Sequence, residues 1–333
     1  MINKRILFIL LILSVIHLFT SCGNGENKTD STSNNLGNTT AEVTEITSSQ
    51  TYKEANPEDA VCLFKDPFFK RGMYFTGIKN SLINGRFGYS LSVPQWLYTQ
   101  EGSKHNLGRE GAYSSPSEGV HVYEDTSKLL YIDTNTGLFR LGIYGSRDYT
   151  APKISAGALV SPTFIRDIYV NEMDHLYVTL DFTLDEVTNH MGAGEFNTNI
   201  HTIQFNFYMF FQDSKSTQWF YLGLPLYDIR GTGQTTYIGG DAGTGGTMVY
   251  IPSCKAAYGS EDPAIVGEHF TQTVDILRFV ENAFRTGIAK GYLKGCKLDN
   301  FYVSGCNLGW EVSGSMDGMA TVYEFNVGYI PKQ

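Results

Sequence analysis

Three stretches decide the fold: His175-Leu-Tyr-Val-Thr-Leu-Asp-Phe-Thr-Leu-Asp185, Ile200-His-Thr-Ile-Gln-Phe-Asn-Phe-Tyr-Met-Phe-Phe-Gln212 and Gln218-Trp-Phe-Tyr-Leu-Gly-Leu-Pro-Leu-Tyr-Asp228. Each alternates apolar and polar residues with period two, which puts successive side chains on opposite faces of an extended strand. In the first, Leu176, Val178, Leu180, Phe182 and Leu184 share one face, and His175, Tyr177, Thr179, Asp181, Thr183 and Asp185 share the other. The second opposes Ile203, Phe205, Phe207, Met209 and Phe211 to Thr202, Gln204, Asn206 and Tyr208, and the third opposes Phe220, Leu222, Leu224 and Leu226 to Trp219, Tyr221 and Tyr227. Each strand therefore has one side fit for a core and one for solvent or a ligand.

The same reading extends outward. Short segments rich in Tyr, Phe, Val and Ile, separated by Gly, Asn, Asp and Ser turns, predict further strands over 86–93, 119–124, 128–133, 138–144, 164–170, 247–251, 298–304, 308–312 and 319–330. About a dozen strands without helical crossovers predict an all-β, two-sheet antiparallel β-sandwich. One segment departs from this. Leu277, Val280, Phe284 and Ile288 have helical spacing, so Thr273 to Ala289 is expected to be a single accessory helix, with Thr273 as its N-cap and Gly291 ending it. Trp310 alternates with Leu308 and Val312 and belongs to the core.

The chain has 333 residues, a formal charge of −9 and 18% charged residues. That composition excludes wholesale disorder and a coiled coil, and its acidity opposes a nucleic-acid partner. At the N-terminus, Lys4 and Arg5 precede an apolar run from Ile6 to Phe19, too short for a spanning helix and suited to a secretory signal. The run ends at Phe19-Thr20-Ser21-Cys22, which resembles the lipobox of bacterial lipoproteins, with Phe19 where Leu is usual. The resemblance implies cleavage before Cys22, lipidation of its thiol, and a bacterial cell-envelope location on a membrane anchor. Between Gly23 and Ala55, 19 of 33 residues are Ser, Thr, Asn or Gly, the composition of a flexible tether. The expected organisation is thus a signal peptide over 1–21, a tether over 22–55 and a β-sandwich over 56–333.

Cys62, Cys254, Cys296 and Cys306 remain in the mature chain, free to pair as two disulfides or to stay as buried thiols. No cysteine or histidine spacing marks a zinc site, a lone Asp241 is a weak calcium signal, and no cofactor motif is present.

If the three quoted strands are neighbours, one face brings carboxylate, amide, hydroxyl and flat aromatic groups together. Aromatic planes stack on the C–H faces of sugar rings, and planar amides and carboxylates bond neighbouring hydroxyls. Tyr177, Asp181, Gln204, Asn206, Tyr208, Trp219 and Tyr221 are accordingly the candidate carbohydrate contacts. Asp228, Arg230 and Asp241 lie in or beside Gly-rich loops that can add contacts at the sheet end. Hydrolysis would need two carboxyls about 5 to 10 Å apart. Asp181 and Asp185, four residues apart on one strand, stand roughly 13 Å apart and cannot be a close pair. A lyase would need a base, for which His121, His201 and Tyr177 are candidates, although His201 lies in the apolar register.

The segments Trp219 to Arg230, Asp241 to Tyr250, Gly309-Trp-Glu-Val-Ser-Gly314 and Tyr323-Glu-Phe-Asn-Val327 resemble the jelly-roll, concanavalin-like modules of secreted bacterial glycan-handling proteins. The resemblance spans about the last 120 residues and implies a jelly-roll-like sandwich in a class that holds both binders and enzymes. The expected function is carbohydrate binding by a lipid-anchored envelope protein. The alternatives are a polysaccharide hydrolase or lyase on the same fold, and a structural or adhesion lipoprotein holding a protein partner.

Overall fold

A computed structural model describes residues 55–76, 83–84, 93–150, 155–231, 233–241, 244–261 and 264–333. The signal peptide, Cys22 and the tether up to residue 54 lie outside the described residues, as does the expected strand over 86–93 except for Val93.

The strands form two sheets. One runs in the order β16 (His269–Asp275), β11 (Met173–Asn189), β18 (Met316–Pro331), β8 (Phe139–Tyr144), β7 (Lys128–Asp133), β6 (Val120–Glu124) and β5 (Ala112–Ser114), with β1 (Val61–Cys62) also on β18. The other runs β14 (Tyr237–Asp241), β15 (Thr247–Ile251), β13 (Trp219–Asp228), β12 (Thr202–Asp213), β17 (Phe301–Ser313), β9 (Ala156–Pro162), β4 (Trp96–Thr99), β2 (Met73–Phe75) and β3 (Ile83–Asn84), with β10 (Ile168–Tyr169) also on β17. Pairing is antiparallel except between β13 and β15 and between β2 and β4.

The core lies between the sheets and is built from the faces that alternation assigned to it. Leu176, Val178, Leu180, Phe182 and Leu184 of β11 and Ile203, Phe205, Phe207, Met209 and Phe211 of β12 are buried in one cluster. Trp310 is buried with them, its indole N–H donating to the Leu141 carbonyl across the sandwich at 3.0 Å. Fully burying a large apolar side chain is worth about 1.5–3 kcal/mol, so these paired faces fix which side of each strand looks outward.

The helix is shorter than its periodicity predicts. It spans Leu277–Ala289, and Thr273 lies in β16, where it pairs with Thr179. His269 to Asp275 satisfy their backbone groups on the edge of β11, and that ladder overrides the helical signal. Asp275, not Thr273, serves the helix start, its carboxylate accepting the Leu277 N–H at 3.1 Å. Leu277, Phe279, Val280 and Ala283 bury the inner face of the helix. The two segments expected over 298–304 and 308–312 are one strand, β17, and the segment over 164–170 is reduced to β10 and a 3-10 turn. All four described cysteines are free thiols.

Candidate functional site

β11 and β12 are not neighbours, because the chain crosses from one sheet to the other between Asn189 and Thr202. Both strands turn their apolar sides to the same core, so their polar sides point out of opposite faces of the sandwich. The seven expected contacts therefore divide. Tyr177 and Asp181 lie on the outer face of the eight-stranded sheet, whereas Gln204, Asn206, Tyr208, Trp219 and Tyr221 lie together on the outer face of the ten-stranded sheet. On the first face, Tyr177 stacks on His175 with its hydroxyl donating to the Ala55 carbonyl, and Asp181 pairs with His269, whose ring stacks on Tyr323. The other two candidate bases are also held by local partners. His121 meets the Tyr113 hydroxyl at 3.0 Å, and His201 meets the Tyr149 hydroxyl at 3.2 Å while accepting the Asn197 N–H.

On the ten-stranded sheet, strand register sets the site. Gln204 of β12 pairs with Asp228 of β13 on one side and Glu311 of β17 on the other, and Glu311 pairs in turn with Gly157 of β9. The Gly157 N–H donates to the carbonyl of Glu101, just beyond β4, at 2.9 Å. One cross-strand row thus reads Asp228, Gln204, Glu311, Gly157, Glu101. A second row, one side chain along, carries Asn206 opposite Gly309, and a third sets Tyr208 between Asn307 and Gly223.

Asn206 ties the first two rows together. Its amide nitrogen donates to Glu311 Oε2 at 2.7 Å and to Gln204 Oε1 at 2.9 Å. Beside them, Tyr208 meets Tyr221 edge to face, Trp219 stacks on Tyr221, and the Tyr221 hydroxyl donates to Asp241 Oδ2 at 2.8 Å. Asp241 is buried, and Trp219 is half-buried at the open end of this aromatic patch. Asp228 is ion-paired with Arg230, whose Nε lies 2.9 and 3.0 Å from its two oxygens, and it also accepts from Thr202. Asn307, opposite Tyr208 in the third row, is completely buried.

Burial lifts the Glu311 carboxyl to about 7; the bond from Asn206 opposes that rise, the charge of Asp241 adds to it, and Arg230 counters it. Burial alone lifts Glu101 to about 7 as well. Tyr208 and Tyr221 are pushed well up, by burial first and by the neighbouring acids second, so both hydroxyls stay protonated donors. A carboxyl that keeps its proton toward neutrality is the state a general acid needs.

Glu101 sits in a rigid frame. The preceding Gln100 is buried, bonded to Thr76, Asn106 and the Leu107 N–H. Two residues on, Ser103 bonds Asp148 and receives the fully buried Lys128 ammonium, which also faces Asp125 at 3.3 Å and Asp148 at 3.8 Å. Sequence reasoning missed Glu101 and Glu311. For Glu311 a signal existed: if Trp310 and its alternating neighbours face the core, Glu311 must face out beside Gln204 and Asn206.

Among the described residues, no three His, Cys, Asp or Glu side chains converge to hold a metal ion. None of the described helices is long and apolar enough to cross a membrane.

The molecule is a two-sheet β-sandwich whose larger sheet carries a polar and aromatic group of side chains, of which Trp219 and Glu311 are partly exposed. No family model matches the chain and no curated protein matches it. Among solved structures it is similar to endoglucanase cel12A from Rhodothermus marinus, at 12% identity over 67% of this chain and 97% of that one, with a TM-score of 0.38. It is also similar to the family 12 xyloglucanase from Bacillus licheniformis, at 10% identity over 66% and 97% with a TM-score of 0.40. The family 11 xylanase from Neocallimastix patriciarum matches at 10% identity over 67% and 97% with a TM-score of 0.35. At this identity and superposition the likeness carries no argument about chemistry, which has to come from the site's own residues.

Proposed function

We propose that the chain is a polysaccharide hydrolase whose cleft is the outer face of the ten-stranded sheet. The observation that supports this reading is Glu311: a carboxyl lifted to about 7, held by Asn206, with the buried carboxylate Asp241 near enough to raise it further. With its carboxyl lifted to about 7, Glu311 keeps its proton on a large fraction of molecules near neutrality and on nearly all at mildly acidic pH, and it is the general acid, giving that proton to the glycosidic oxygen as the C–O bond breaks. Asp241, which accepts from the Tyr221 hydroxyl, is the second carboxylate: it takes a proton from the water whose oxygen forms the new bond to the anomeric carbon. Trp219, half-buried and backed by the buried rings of Tyr208 and Tyr221, offers the ring-stacking surface, and the buried amides of Gln204 and Asn206 hold Glu311 in place from beneath. Asp228, occupied by Arg230, shapes the end of the row.

The Lys4 to Cys22 segment supports a lipid anchor in a bacterial envelope, with the polar tether carrying the sandwich clear of the bilayer. A second reading, glycan binding without cleavage, is favoured by the Trp219–Tyr221 stack, which would bind a sugar whether or not Glu311 donates a proton. Native electrophoresis of residues 56–333 through gels containing β-glucan, xyloglucan, xylan or pectin separates the two. Polymer loss around the wild-type band, absent with Glu311→Gln, is the expected result. Retardation with intact polymer for both proteins would establish the binder instead.

A further inference from the structure

The paired strands β11 and β18 carry two bulges, and each adds a side chain to the outer face of the eight-stranded sheet. On β18, Val322 pairs with Phe182 and Glu324 with Asp181, which leaves Tyr323 unpaired between them. Val322 and Phe325 both lie in the core, so Tyr323 and Glu324 both turn outward, and both are exposed. On β11, Leu184 pairs with Ala320 and Glu186 with Met319, which leaves Asp185 as the extra residue, exposed beside Glu186. A bulge interrupts the ladder and recurs where a fold re-aims a side chain. Neither extra residue adds to the core, and Tyr323 puts a large ring into water, 41% exposed.

That ring lies among groups of a particular kind. Tyr323 stacks on His269 of β16, with centroids 5.2 Å apart and planes at 10°, and the imidazole meets the carboxylate of Asp181 on β11, the strand between. The His269 side chain is itself 55% exposed. From His269 an outward-facing row runs through Thr183, Thr321 and Arg140 to the half-buried Tyr131, four strand spacings or about 19 Å. Thr321 and Arg140 both donate to Asp185, the second bulge residue, at 2.7 and 3.3 Å. The row therefore has an aromatic ring surface at each end, with carboxylate, guanidinium and hydroxyl groups between. Ring faces take the C–H faces of a pyranose, and the polar groups take its neighbouring hydroxyls. Asp181, Asp185, Glu186 and Glu324 outnumber Arg140 and His269 there, a balance that turns away a polyanion.

We propose that this face is a second glycan-binding surface, on the far side of the sandwich from Glu311, which holds a neutral polysaccharide with one sugar ring on the Tyr323–His269 stack. It takes in Asp181 but not Tyr177, which is buried and donates to the Ala55 carbonyl. The surface does not depend on hydrolysis: it holds the polymer whether or not Glu311 cuts it.

Every protein in the test carries Glu311→Gln, so that the polymer stays intact, and mobility through gels of increasing β-glucan, xyloglucan or xylan content gives an apparent Kd. On the neutral polymer that retains this parent most strongly, Tyr323→Ala should weaken retention about 3- to 10-fold, the scale of one lost ring stack. Tyr323→Phe, which keeps the ring, should match the parent. Mobility in pectin, which is rich in carboxylates, should be the same for the parent and Tyr323→Ala. Equal retention of the parent and Tyr323→Ala in every neutral polymer would overturn the inference, as would a parent that none of them retards. A loss in Tyr323→Phe as large as in Tyr323→Ala, or as large in pectin as in the neutral polymers, would overturn it too. If Tyr323→Ala lowers the thermal midpoint, His269→Gln, which removes the partner ring from an edge strand, carries the comparison. Release of reducing ends by the wild type is measured apart and decides the hydrolase reading, so either can fail without the other.

Discussion

Replacing Glu311 by glutamine gives a stability signature independent of any substrate. The glutamine oxygen can still accept the Asn206 bond, so the substitution removes the titration and keeps the shape. A carboxyl raised from its ordinary 4.5 to about 7 binds its proton more tightly in the folded chain than in the unfolded one. Folding therefore favours the protonated form, and the wild type loses stability as pH rises from about 4.5 to 7, with no further loss above. At about 1.4 kcal/mol per pH unit, the full penalty is on the order of 3 kcal/mol. Glu311→Gln escapes it. The other titrations, including that of Glu101, are common to both proteins and cancel in the difference. Urea unfolding at half-unit steps from pH 4 to 9 should show the two equally stable near pH 4 and the variant ahead by on the order of 3 kcal/mol at pH 8. A difference that stays constant across this range would refute the claim that burial holds a proton on Glu311.

Other substitutions probe the frame and the platform. Lys128→Met leaves Asp125 and Asp148 without their buried ammonium, and stability should drop by about 3–5 kcal/mol, read from the urea midpoint at pH 7. Trp219→Ala should weaken retention in the glycan gel while leaving the thermal midpoint nearly unchanged, because Trp219 stacks on Tyr221 at the edge of the patch; a large fall in stability would place it in the core instead. Burial pushes the Cys306 thiol well up, so it should react with an aromatic disulfide reagent only after unfolding, whereas labelling of the native chain at that position would contradict the packing.

Much of the sandwich was legible because its inner strands carry strict alternation. β11 and β12 show their core faces residue by residue, and Trp310 declares its side through Leu308 and Val312. β9 was not legible: Ala156-Gly-Ala-Leu-Val-Ser-Pro162 has small residues on both faces, and only its place between β17 and β4 makes it a strand. β16 was hidden by the helix that follows, because Thr273, which reads as that helix's N-cap, lies within the strand. The grouping of the candidate residues was legible strand by strand but not across the two sheets. Local pattern told which side chains share a face of one strand, and Gln204, Asn206, Tyr208, Trp219 and Tyr221 do lie on one face of one sheet. It could not tell which sheet each strand joins, and so Tyr177 and Asp181 were grouped with residues that lie across the core from them. The row linking Asp228, Glu311 and Glu101 spans 211 residues of sequence and exists only through register.

The most direct test of the central claim is release of reducing ends from the glycan panel, followed from pH 4 to 9 for wild type and Glu311→Gln. A hydrolase with Glu311 as proton donor predicts release by the wild type that declines as pH rises through about 7, and a loss of about 100-fold to 10,000-fold in the variant. Undiminished release by Glu311→Gln, or none from any polymer by the wild type, would contradict it.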